Sequence, residues 1–109
     1  MRVEALAATF VVEVGIRQSW PFLVVADASS GAEARLYLDA TWSLGDSSHE
    51  ASEDTAWLVA AAELNGENIV DARQGSDGSL TLMTSEGARL TVSGQAAHYT
   101  VGEPWWLGR

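Results

Sequence analysis

The residues best able to do chemistry are His49, Glu50, Glu53 and Asp54, which fall within one six-residue run, HEASED. A histidine followed by a glutamate is half of the H-E-x-x-H zinc helix, in which two histidines one turn apart hold the metal and the glutamate is the base. The second histidine is missing. Together with Asp46 these carboxylates suit a hard cation chemically, but their spacing matches no cation cage, so they read as the solvated acidic start of a helix and no metal is expected. The only other histidine, His98, has neither a glycine-flanked serine nucleophile nor an orienting carboxylate near it, which leaves no hydrolytic triad. There is no cysteine, hence no thiolate ligand, no cysteine nucleophile and no disulfide framework. Gly15, Gly45 and Gly66 assemble into no phosphate-cradling loop, so no nucleotide or other cofactor is expected.

What remains is recognition chemistry. Arg35 and Arg89 would project from polar strand faces and could clamp a carboxylate or phosphate bidentately; ion pairs with Glu33, Asp39 or Glu86 are their more common fate. Of the aromatic residues, Trp20, Tyr37, Trp42 and Trp57 could line a pocket inside a curved sheet, although core packing is the first reading of Trp57. Trp105 and Trp106 are adjacent near the C-terminus. In an extended segment neighbouring side chains take opposite faces, so one is expected to pack inward and the other to stay available as an interface anchor.

The elements that must position these groups follow from periodicity. Residues 52–64 form the one sustained helical pattern, with Trp57, Ala60, Ala61 and Leu64 on one face and few polar positions elsewhere, which predicts a mostly covered helix. Ser52 is the candidate cap, Glu53 and Asp54 suit the positive end of the macrodipole, and Gly66 suits a left-handed exit. Residues 9–17 alternate, with Phe10, Val12, Val14 and Ile16 on one face and Val11, Glu13, Gly15 and Arg17 on the other. Residues 20–26 are apolar on both faces and enter through Pro21. A turn at 27–31 leads to a third strand predicted over 34–42, and a polar loop at 44–51 leads into the helix. After it, 69–73, the segment around Leu80 and Leu82, and 88–93 read as strands, separated by an Asp77-Gly78 loop longer than two residues and a turn at 85–87. A last strand is predicted at 98–101, followed by the tail EPWWLGR.

The two sides of the helix resemble each other. Ala34-Arg35-Leu36-Tyr37-Leu38 echoes Ala88-Arg89-Leu90-Thr91-Val92, each after a turn containing a glycine, Gly31 or Gly87. The pattern predicts one domain, residues 1–109, with half-repeats about 9–42 and 64–101 flanking the helix at 52–64. The fold class is therefore α+β: two antiparallel three-stranded β-meanders, separate or continuous as one curved sheet, with a single central helix packed against them. In the second half, Leu64-x-Gly66-x-x-Ile69-x-x-Ala72, Gly78-x-Leu80-x-Leu82 and Gly87-x-x-Leu90-x-Val92, followed by Tyr99 and tryptophans, resemble a family of small uncharacterised actinobacterial domains, loosely like immunity proteins of bacterial toxin systems. That resemblance covers roughly residues 10–106, implies a binding role, and assigns no functional residue. The apolar tail Pro104-Trp105-Trp106 departs from it.

Fifteen acidic residues against six arginines and no lysine set a formal charge of −9, which repels nucleic acid and anionic lipid and favours solubility or a basic partner. No stop-transfer run or cleavage pattern follows the opening MRVEALAA, so a cytoplasmic protein without a membrane partner is expected. The leading functional expectation is a non-enzymatic protein–protein interaction module, of the immunity-inhibitor kind, with Trp105, Trp106, Asp46, Glu50, Glu53 and Asp54 as its contact residues. The rivals are a small-molecule binder or enzyme using Trp20, Tyr37, Trp42, Trp57, Arg35 and Arg89 around an internal pocket, and a structural homodimer subunit.

Overall fold

The computed structural model describes residues 1–108. A 3-10 helix at Val3–Ala8 precedes β1 (Thr9–Arg17), β2 (Trp20–Asp27) and β3 (Glu33–Leu38), then β4 (Trp42–Leu44) and β5 (Ser47–His49), the helix α1 (Asp54–Ala62), and β6 (Ile69–Gln74), β7 (Leu80–Thr84), β8 (Arg89–Val92) and β9 (Trp105–Gly108). All strand pairs are antiparallel, and with one short helix the chain is α+β-like. The strands form two sheets, of order β1-β2-β3-β9 and β5-β4-β8-β7-β6. They touch at a corner, where Val11 N–H donates to Glu67 O at 2.9 Å and Gly66 N–H to Val11 O at 2.7 Å. Among the described residues no helix is long and apolar enough to cross a membrane.

Four- and five-stranded sheets replace the expected pair of three-stranded meanders, because the first sheet gains β9 and the second gains the β4–β5 hairpin. β4 follows β3 in the chain yet lies on β8, and β9 follows β8 yet lies on β3. The predicted third strand over 34–42 therefore stops at Leu38. Asp39 is buried and turns the chain out of the first sheet: its N–H donates to Pro104 O at 2.7 Å and its carboxylate accepts from Val101 N–H at 2.9 Å. Trp42, expected at the end of that strand, opens β4 in the second sheet. The loop predicted at 44–51 contains the β4–β5 hairpin, turned by Gly45 at φ 61°. Residues 98–101 make turns and hydrogen bonds rather than a strand, and the tail is the strand instead.

Within this exchange the two halves share one register. Trp42, Ser43 and Leu44 face Val92, Thr91 and Leu90, as Trp105, Trp106 and Leu107 face Leu38, Tyr37 and Leu36. β1 is bulged between Val11 and Glu13, and β6 between Ile69 and Asp71. The bulge inserts one unpaired residue, Val12, which shifts the phase of β1. Val11 consequently joins Val14 and Ile16 against the core while Val12 is 38% exposed, in place of the uninterrupted alternation.

One apolar cluster draws from both sheets, α1 and Leu6. At its centre Trp57 and Trp42 meet edge to face at 5.2 Å, and Trp57 Nε1 donates to Gly15 O at 2.9 Å. The helix is shorter and more open than 52–64 predicted. It starts at Asp54, Ser52 makes no capping bond, and Leu58 and Val59 are 45% and 67% exposed. Nine residues give roughly two and a half turns, enough to bury Trp57 and Ala61 on one side and to leave the opposite side uncovered. Gly66 adopts φ 87°, as its place after the helix suggested.

Candidate functional site

The outer face of the first sheet carries a concentration of rings. After the β1 bulge, Glu13, Gly15 and Arg17 point away from the core, and alternation places Trp20, Phe22 and Val24 of β2, Arg35 and Tyr37 of β3 and Trp106 of β9 beside them. Gly15, Phe22, Tyr37 and Trp106 form one row across the four strands. Phe22 lies over Gly15, where a Cβ would come within 3.0 Å of its ring. Tyr37 and Trp106 stack at 5.0 Å and 18°, and Trp20 meets Trp106 edge-on at 5.2 Å. Arg35 sits 5.0 Å above the Phe22 ring and donates from Nη1 to the Tyr37 hydroxyl at 3.2 Å. That hydrogen bond, followed by the carboxylates of Glu13 and Glu33, favours the charged guanidinium. Its Nε is buried with no hydrogen-bond partner among the described residues.

Beside the rings is a depression of about 270 Å³ lined by Arg17, Gln18, Trp20, Tyr37 and Trp106. Its rim is a two-residue β1–β2 turn in which Gln18 and Ser19 have φ 52° and 75°. Such turns favour Asn-Gly, and a residue with a Cβ held there costs about 1–2 kcal/mol. Backbone strain of this kind persists where surrounding structure enforces it and clusters at functional sites. Gln18 also borders a second depression of about 350 Å³, shared with Asp39, Asp54 and Tyr99.

The matched registers supply an internal comparison. Phe22, Tyr37 and Trp106 correspond to Thr81, Thr91 and Ser43 on the outer face of the second sheet, while Arg35 corresponds to Arg89 and Glu13 to Asp71. The same strand lattice thus carries hydroxyls in one sheet and rings in the other.

The candidate residues divide accordingly. Trp20, Tyr37, Arg35 and Trp106 come together, but on an outer face. Trp42 and Trp57 lie on the opposite side in the core, at 1% and 0% exposure. The void between the sheets, bounded by Val11, Leu23 and Leu82 among others, is about 10 Å³, too small to hold more than a water, and among the described residues neither ring borders it. Arg89 is on the other sheet, so it and Arg35 make no joint clamp. Trp105 packs against the core and donates from Nε1 to Gly78 O at 2.8 Å, tying β9 to the β6–β7 loop. The acidic set disperses. Glu50 is turned into a polar knot, accepting from the Thr41 and Tyr99 hydroxyls at 2.9 and 2.7 Å. Glu53 accepts from Glu50 N–H at 2.6 Å and reaches His49 at 3.4 Å, and those contacts, in that order, lower its pKa. Asp46 is exposed in the β4–β5 turn, and Asp54 borders the second depression.

Sequence reasoning left out Arg17, Gln18 and Phe22. The signal was present: Trp20 and Phe22 are two apart on one strand, as are Arg35 and Tyr37 on the next, and residues spaced by two share a face. Comparison with protein-family models, characterised proteins and solved structures finds no match.

Proposed function

We propose that this protein is a non-enzymatic protein-binding module whose contact surface is the outer face of the first sheet. The observation that carries the reading is the substitution of Thr81, Thr91 and Ser43 for Phe22, Tyr37 and Trp106 at matched positions. A fold that accepts hydroxyls there in one sheet does not require rings there in the other. Tryptophan, tyrosine and arginine dominate the energetics of protein interfaces because they bury large area at low entropic cost and add directional bonds. Trp20, Tyr37, Trp106 and Arg35 are those types, and the adjoining depression has room for one or two partner side chains. The net charge of −9 steers a basic partner toward the molecule. The resemblance to small actinobacterial domains adds the expectation that occupation of the partner is inhibitory, as for immunity proteins.

The test replaces the rings by their counterparts in the second sheet. Protein carrying Tyr37→Thr and Trp106→Ser should still unfold cooperatively, and should no longer retain proteins that the parent chain captures from an extract of its native host. The same proteins retained by both chains would sink the proposal. A parent chain that dimerises while the variant stays monomeric would identify a second copy as the occupant.

A further inference from the structure

A recess of about 760 Å³ lies away from the aromatic face, between α1, the β4–β5 hairpin and the β7–β8 turn. Helix geometry produces one wall. Trp57, Ala61 and Leu64 turn into the core, so Ala56, Val59 and Ala60, displaced around the helix, face the recess. Leu44, Met83 and Ala88 form its apolar floor. Val59 is 67% exposed, which leaves most of a branched apolar side chain in water at the lip of an apolar cleft. Burying it would gain free energy in proportion to the area removed from water.

The charge around the cleft is one-sided. Asp46 and Glu63 border it, with Glu53 exposed at the start of α1 and Glu86 exposed in the turn beside Gly87, against Arg89 and the imidazole of His49 on the basic side. A recess with apolar walls and an acidic margin, bordered by α1 from Thr55 to Glu63, matches an amphipathic helix bearing cations on its flanks. We propose that this cleft receives such a helix from a partner protein, apolar where it meets Val59 and Met83 and carrying lysine or arginine toward Asp46 and Glu63. The inference is independent of the aromatic face and makes the chain a module with two chemically different contact surfaces.

A fluorescent 16-residue helical peptide with a leucine stripe and lysine flanks, and a counterpart with glutamate in place of lysine, are titrated by anisotropy against the full chain. The lysine peptide should bind saturably and the glutamate peptide should not. Val59→Arg, at an exposed position, should weaken binding by about tenfold or more by adding bulk and like charge. Asp46→Asn with Glu63→Gln should flatten the salt dependence. The Tyr37→Thr, Trp106→Ser chain should bind the peptide as the parent does. Absence of saturable binding, binding indifferent to Val59→Arg, or loss of binding in the Tyr37→Thr, Trp106→Ser chain would each overturn the proposal, the last by assigning the peptide to the aromatic face.

Discussion

Gly94 lies where the chain leaving β8 crosses the tip of the β6–β7 hairpin, and replacing it by alanine should destabilise the protein measurably. A Cβ there would lie 2.3 Å from Asp77 O, 2.4 Å from Gly78 C and 2.6 Å from Ser79 N. All three are backbone atoms, so no side chain can rotate away and the hairpin tip must shift by about an ångström to restore ordinary contact. The shift bears on the Trp105 Nε1 to Gly78 O bond of 2.8 Å. Alanine restricts the unfolded chain and returns about 0.4–1 kcal/mol, overpacking against backbone costs about 1–3 kcal/mol, and a weakened hydrogen bond adds about 1 kcal/mol. The net loss is about 1–3 kcal/mol, or roughly 4–13 °C in Tm at the sensitivity of a domain of this size. Thermal and urea unfolding followed by tryptophan fluorescence measure it. The mechanism also requires coupling: Trp105→Phe, which deletes the indole N–H, should cost less in the Gly94→Ala background than in the parent. An unchanged or raised Tm for Gly94→Ala, or strictly additive costs, would refute the reasoning.

Trp57→Ala should cost about 3–5 kcal/mol, a large part of the stability of a small domain, whereas Trp57→Phe should keep the fold and lose mainly the bond to Gly15 O; urea midpoints for both variants check the difference. Tyr99 is pushed up to about 12, first by burial and also by the Glu50 carboxylate that its hydroxyl donates to. Its folded pKa lies above the unfolded value, so the associated stability is complete below about pH 10 and disappears as pH rises toward 12. Absorbance titration at alkaline pH should show a late tyrosinate step that Tyr99→Phe removes. Asp27 is held down at about 2, first by the Ser29 hydroxyl and then by the Ser30 and Ser29 amides. Its contribution is present above about pH 4 and is lost as pH falls through 2, and NMR titration of the Asp27 carboxyl should place the midpoint there, returning toward 4 when Ser29 is replaced by alanine.

Local pattern determined much of this protein. Alternation placed β1, β7 and β8, because half-buried strands write their two faces into neighbouring residues, and an unbroken apolar run placed β2. The left-handed turns at Gly31, Gly78 and Gly87 were legible because a missing Cβ relieves the same clash wherever the chain lies. Trp57 read correctly as core. Tertiary structure decided the rest. Whether β3 continues to Trp42 depends on a hydrogen bond from Val101, 62 residues away, which no window around Asp39 contains. The exchange of β4 and β9 is a matter of which edge each finds, and their sequences specify faces rather than neighbours. The bulge at Val12 reversed the expected phase over the first half of β1, leaving Val14 and Ile16 on the expected face, although every residue in it keeps its strand preference. The candidate site shows the same division. Sequence supplied Trp20, Arg35 and Tyr37 on strands, and Trp105 and Trp106 as neighbours on opposite faces of a tail; only the pairing of β9 with β3 put Trp106 against Tyr37, and only the pairing of β4 with β8 carried Trp42 into the core.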